Sequence, residues 1–227
     1  MFYDSGQETT TLVPNANGKC IACPAGTTSG SGKYVEGQNP CPCLIDSGFR
    51  TALALWFSDP ALATSTYGNI EDWCTKDVTD MSKAFNSQTA FNEDISGWDV
   101  SSVTNMEQMF AGTNVFNQDI GSWNVSSVTN MQQMFEEAYV FNKDIGSWDV
   151  SSVTDMVQMF TTASAFDKDV KGWNVCKVDK FDSMFTYSGQ PDTNLEPDTN
   201  GACIDCPSGT TSGSGEYVTG GNNCTSF

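Results

Sequence analysis

The chain has 227 residues, 38% of them apolar, with 28 Asp and Glu against 10 Lys and Arg and a formal charge of −18. So acidic a balance removes the electrostatic footprint needed to bind nucleic acid or an anionic lipid surface. The longest apolar run, around Ala52–Phe57, falls far short of the roughly 20 residues of a membrane-spanning helix, so no membrane insertion is expected.

Residues 1–7, MFYDSGQ, carry neither a basic start nor an apolar stretch and do not read as a signal peptide. Residues 8–43 form a Gly/Ser/Thr-rich module with Cys20, Cys23, Cys41 and Cys43, and residues 188–227 a second one with Cys203, Cys206 and Cys224. Cys74 and Cys176 lie between them. Nine cysteines in a chain with no histidine suit disulfides formed in an oxidising, extracellular compartment. A four-thiolate zinc site at Cys20, Cys23, Cys41 and Cys43 is the competing reading. The second module argues against it, having Ser226 where a fourth ligand would fall. One pairing joins Cys20 to Cys41 and Cys23 to Cys43, with Cys74 and Cys176 tying the central region to the adjacent modules, but spacing does not fix connectivity. An odd total leaves at least one thiol free or joined to a partner chain.

The central region, residues 44–187, opens with GFRTALALWFS (48–58), which reads as an amphipathic helix covering the first face of a repeat array, with Pro60 after it. From Ile70, Ile95, Ile120, Ile145 and Val170 a 25-residue unit then recurs, three copies being close: ISGWDVSSVTNMEQMFAGTNVFNQD is the first of these. Trp73, Trp98, Trp123, Trp148 and Trp173 share one phase, and columns of Val, Met and Phe stand at others, since a unit this small must bury its apolar side chains against its neighbours. Ile95-x-x-Trp98-x-Val100 matches the alternation of a short strand. Thr104 is placed to cap a short helix, Glu107 to complete a capping box, and Met106, Met109 and Phe110 share the helix face. The expected fold is α/β, a right-handed leucine-rich-repeat solenoid of about five coils, each a short parallel strand plus a short helix.

A second period encloses the first. A shift of 183 residues superposes Met1–Cys41 on Met184–Cys224 with 26 of 41 residues identical. Residues 1–7 therefore read as the tail of a preceding unit, and the chain as a stretch of a longer array alternating coil stacks with cysteine modules.

The phrase from Phe91 to Phe110, FNEDISGWDVSSVTNMEQMF, closely resembles the BspA-like leucine-rich-repeat surface proteins, whose repeat also occurs in mycoplasma lipoproteins and in algal and protist surface proteins. The resemblance covers Phe49–Phe185. It implies a secreted or surface-exposed location, a right-handed solenoid, and roles in adhesion or surface structure. The cysteine modules more loosely resemble EGF-like and receptor repeats.

Chemistry is scarce. Without histidine the usual general base and catalytic-zinc ligand are missing, and no cysteine has an imidazole to activate it, so an enzyme is not expected. Asp99, Ser101, Asn124, Ser126, Asp149, Ser151 and Asn174 are expected to line the exposed strand face, the usual contact surface of such arrays. Their sameness from unit to unit suits packing against other copies or a repetitive glycan. Asp94, Asp119, Asp144 and Asp169 are read as accepting backbone N–H groups at turns; weak calcium binding by such a ladder is the alternative, and no cofactor is required. Sequons at Asn124 and Asn223 mark candidate glycan sites, Asn223 being favoured. The expected function is an extracellular structural segment of a fibrous surface assembly, or alternatively an adhesion module for glycan or protein.

Overall fold

The computed structural model describes residues 43–175 and 177–190, together with four three-residue strands of the flanking segments. Those strands pair antiparallel, Leu12–Pro14 with Cys20–Ala22 and Thr210–Ser212 with Cys224–Ser226.

The chain enters the central region through two helices. Helix α1 spans Asp46–Ser58 and buries Phe49, Ala52 and Leu53. Helix α2, Pro60–Tyr67, follows at once, because Asp59 accepts from the Leu62 N–H at 3.0 Å and Pro60 costs nothing in a first turn whose N–H groups have no helical partner. A single 3-10 turn, Ile70–Asp72, leads into the first coil.

The expected strand plus helix per coil is overturned. Among the described residues of 43–190, α1, α2 and the Ile70–Asp72 turn are the helices, and no strand is present; the strand-like pairing between coils is limited to isolated parallel bridges from Asp80 through Asn105, Asn130 and Asp155 to Lys180. Each coil is a run of tight turns. In the Trp98 segment, Trp98 N–H bonds to Ile95 O at 3.1 Å and Val103 N–H to Val100 O at 2.9 Å. The segment expected as a helix also has no i→i−4 bonds, because its N–H groups divide between two directions. The N–H groups of Met131, Gln133, Phe135 and Glu137 cross to Asp155, Val157, Met159 and Thr161 O of the next coil at 2.8–2.9 Å. Of those between them, Met134 and Glu136 N–H close three-residue turns to Met131 and Gln133 O, each at 3.2 Å, and Gln132 N–H turns to the Asn130 side chain.

Pointing alternate N–H groups the same way requires left-handed backbone. Gln108, Gln133 and Gln158 have φ of 54–55°, and Glu137 and Thr162 have φ of 56° and 62°. Each such non-glycine residue costs about 1–2 kcal/mol, which the cross-coil hydrogen bond and the fixed phase of the core side chains offset. Thr104 and Glu107 accordingly form no capping box. Thr104 Oγ1 donates to Thr79 O at 3.2 Å, and the Glu107 carboxylate pairs with Lys83 at 3.3 Å.

The core is a set of straight columns running through the stack. Phe85, Phe110, Phe135, Phe160 and Phe185 stack with centroids 5.4–5.5 Å apart and planes within 10°. Phe91, Phe116, Phe141 and Phe166 form a second column at 5.9–6.0 Å, each packed on the first column within its own coil. The tryptophans lie beside them, and their polar tips explain why this phase holds Trp rather than Leu. Trp98, Trp123, Trp148 and Trp173 Nε1 donate to the carbonyls of Ile70, Ile95, Ile120 and Ile145 in the preceding coil at 2.8–3.3 Å. A buried indole N–H thereby becomes a coil-to-coil tie.

Candidate functional site

The side chains expected on a strand face serve instead at corners. Asp99 Oδ1 accepts from Ser101 N–H at 3.0 Å and Ser101 Oγ at 2.6 Å, and Asn124 does the same with Ser126 at 3.2 and 2.7 Å. Asp149 accepts from Ser151 N–H at 3.0 Å. Asp99, Asn124 and Asp149 are exposed, while Asn174 is half-buried. The geometry is an Asx turn, in which a short side-chain carbonyl replaces a backbone one. Two further Asx turns recur in the coil. Asp94, Asp119, Asp144 and Asp169 accept from Ser96, Gly121, Gly146 and Lys171 N–H at 3.0–3.1 Å. Asn105, Asn130 and Asp155 accept from Glu107, Gln132 and Val157 N–H at 2.9–3.1 Å. Much of the acidity of the stack is thus turn chemistry.

Hydrogen bonding sets the titration of three of these carboxyls. Those from Ser96 hold Asp94 below the usual carboxylate range, and those from Ser101 and Ser151 do the same for Asp99 and Asp149. Glu136 moves the other way, raised by burial and then by the neighbouring charge of Glu137. Among the described residues no group of three or more Cys, Asp or Glu is placed to hold a metal ion. No described helix is long and apolar enough to cross a membrane.

Three side-chain ladders run along the outside of the stack. Thr104, Thr129 and Thr154 Oγ1 donate to the carbonyl of the threonine one coil back at 3.1–3.2 Å. Asn92, Asn117 and Asn142 Oδ1 accept from the N–H groups of Asn117, Asn142 and Asp167 at 2.9–3.1 Å. Gln108 Nε2 donates to Gln133 Oε1 at 2.8 Å, and Gln133 Nε2 to Gln158 Oε1 at 3.3 Å. The periodic residues advertised these ladders, but composition alone did not say which side chains would bond to which. Val115, Val140 and Tyr139 add an exposed apolar strip at one corner, 43%, 41% and 37% accessible.

At the first coil, side chains of α1 stand where a preceding coil would be. Asp46 accepts from Thr79 N–H at 2.7 Å, the group that at Thr104 and Thr129 bonds to the previous coil. Arg50 donates to Ser82 O, and at 3.3 Å to Asp80 O. The equivalent carbonyls one coil on, Glu107 and Asn105, accept from the backbone of the coil before. Burial alone would raise the Asp46 pKa, yet the Thr79 and Asp80 hydrogen bonds and the Arg50 charge together lower it.

Cys43 and Cys74 are joined by a disulfide, with Cα atoms 4.6 Å apart, and Leu44 N–H bonds to Cys74 O at 2.9 Å beside it. This overturns the pairing of Cys23 with Cys43. The side chains of Cys20, Cys23, Cys41, Cys176, Cys203, Cys206 and Cys224, the sequon at Asn223 and the 1–7 repeat tail lie outside the described residues, as do most of the two cysteine modules.

Fold and surface define a repeat protein of stacked 25-residue coils built from turns. A family model described as "Mycoplasma protein of unknown function, DUF285" matches residues 52–149 and 125–200, more than half the chain, and the chain belongs to that family. The family is associated with BspA-like surface repeat proteins; neither leucine-rich-repeat nor EGF-like modules are specifically supported. No curated protein and no solved structure gave a match.

Proposed function

We propose that the chain is a non-enzymatic structural segment of a fibrous extracellular surface assembly, in which rigid coil stacks are strung on cysteine-bearing links and pack against other copies. The observation that carries this reading is the sameness of the lateral faces: Thr, Asn and Gln ladders repeat through the central coils. A surface that reads one particular ligand varies along its length, whereas a constant face pairs with another constant face at many equivalent positions. The Cys43–Cys74 disulfide suits an oxidising exterior. α1 occupies the first edge of the stack, so copies are expected to associate side by side or through the flanking modules.

The alternative is an adhesion module for protein or glycan, and the exposed Val115, Val140 and Tyr139 strip favours a protein partner. Electron microscopy of the native material tests the reading. Regular filaments containing this chain support it; isolated, monodisperse particles at high concentration contradict it.

A further inference from the structure

One side of the stack is not constant from coil to coil. The Asn92, Asn117 and Asn142 ladder holds residues 90–96, 115–121, 140–146 and 165–171 in register along it. At its corner Ala90, Val115 and Val140 are exposed. Three residues on, the same side carries Glu93, Gln118, Lys143 and Lys168. Three further on it carries Glu71, Ser96, Gly121, Gly146 and Lys171. Glu71 belongs to this last column because its carbonyl oxygen lies one coil before Gly97, 3.9 Å from where a Cβ on that glycine would stand. Both columns pass from acid at the first coils to base at the last. Between them the Asp94, Asp119, Asp144 and Asp169 column does not vary, each carboxylate accepting from its own corner N–H at 3.0–3.1 Å.

A constant column repels a second copy equally in every register and direction, so it selects none. The two graded columns do select. Parallel copies in register put Glu93 on Glu93 and Lys171 on Lys171. Antiparallel copies turned about a two-fold axis at residues 115–121 put Glu93 on Lys143 and Glu71 on Lys171, and the symmetry makes each pair twice. Val115 then meets its own equivalent and Val140 meets Ala90, which takes exposed apolar surface out of water. A shift of one coil would set Glu93 on Lys168, whose ammonium already pairs with Asp167 at 3.1 Å, and carry Glu71 past Lys171. In a chain of formal charge −18, copies meet with least repulsion where lysines are aligned with acids.

We propose that this side is a docking surface for a second copy of the chain, antiparallel about a two-fold axis at residues 115–121. The proposal rests on the reading that copies pack against one another, and it names the face and register they use. So narrow a side falls below the roughly 800 Å² per partner of a stable interface, so the pairing is weak and suits copies held at high local concentration.

Sedimentation equilibrium of the full chain tests it. The unaltered chain is expected to dimerise reversibly, with half association at or below about 1 mM. Glu93→Lys and Lys143→Glu each weaken the dimer by at least about tenfold, and combining them restores it to within about threefold. Glu71→Lys with Lys171→Glu is an independent exchange with the same expectation. Val115→Asp sets like charges face to face on the axis and abolishes the dimer, while hydrogen exchange at Phe110 and Phe135 stays as in the unaltered chain. A chain that remains monomeric through about 1 mM overturns the proposal, as do double exchanges no tighter than their single substitutions. Association that none of these substitutions weakens overturns it too, and leaves standing the packing of copies through another face.

Discussion

An internal coil boundary and the first edge of the stack satisfy the same backbone groups with different chemistry. Between coils, Thr104 N–H meets Thr79 O and Asn105 O meets Met81 N–H, so these groups are met by main chain and the pattern repeats with the period. At the first edge the corresponding groups of Thr79, Asp80 and Ser82 meet one carboxylate and one guanidinium, while Phe49 and Phe57 of α1 pack edge-on against Trp98 and Phe85. Periodic stability resides in backbone ties and stacked rings and is shared among coils. Edge stability rests on a few residues that occur once, and single substitutions there have local consequences.

The comparison breaks most visibly in the ring columns. Phe135 is fully buried and stacked on Phe110, Phe141 and Phe160, so Phe135→Ala is expected to cost about 3–5 kcal/mol in urea unfolding. Phe57→Ala, which empties a half-buried site on the cap, should cost clearly less; equal losses would mean that the interior is no more tightly coupled than its lid.

Glycines at the corners come next. A Cβ on Gly121 would lie 2.4 Å from Asp144 O of the next coil, and one on Gly146 2.7 Å from Asp169 O, whereas one on Gly97 meets nothing nearer than 3.9 Å. Gly121→Ala is therefore expected to destabilise by about 1–3 kcal/mol as coils are pushed apart, and Gly97→Ala to stay within about 0.5 kcal/mol. Thermal melts of the two proteins decide between this account and one in which the corners have slack.

A smaller effect is expected at the cap. Arg50 and its partner Asp80 are over a third exposed, 37% and 44%, so screening discounts their ion pair, and Arg50→Ala should cost about 1 kcal/mol, mostly from the carbonyls of Asp80 and Ser82 losing their donor. Hydrogen exchange should quicken at Thr79 and leave Thr129 unchanged. Uniform quickening would show that the cap is not a local device.

Acid should act most gently of all. Asp94, Asp99 and Asp149 sit below their ordinary range in the folded state, against about 3.9 unfolded. Their contribution is complete above that unfolded value and is lost as pH falls through the lower folded values. The melting temperature is therefore expected to be flat near neutrality and to decline below about pH 4, with Asp149→Asn, which keeps the turn acceptor, showing a shallower decline. A decline that begins at pH 6 would contradict this assignment.

The period, the core columns and α1 were legible in the sequence, because burial demands large apolar side chains at a fixed phase and Trp73 through Trp173 can share a phase in no other way. The path of the backbone was not legible. Met106, Met109 and Phe110 have helical spacing, but consecutive three-residue turns place them on one side equally well, and the choice falls to alternate N–H groups that find acceptors a coil away. Nothing in Gln108 or Gln133 announces positive φ. Asp99 and its equivalents stood out as a repeated exposed column, and Ser two residues on was the signal for an Asx turn; alternation around Trp98 outweighed it. Helix α2 is not expected from the sequence, although Asp59-Pro60 is a helix-start signature, because a proline just after a helical stretch also marks that helix's end. The Cys43–Cys74 bond needed the fold of α1 over the first coil to bring positions 31 apart in sequence together.

NMR of the central coils tests the turn-built stack most directly. The account predicts through-hydrogen-bond couplings from the Gln108 and Phe110 amides to the Gln132 and Met134 carbonyls, with positive φ at Gln108 and Gln133. Helical φ at Gln108 and Gln133, with those amides coupled instead to carbonyls four residues back in the same coil, would contradict it.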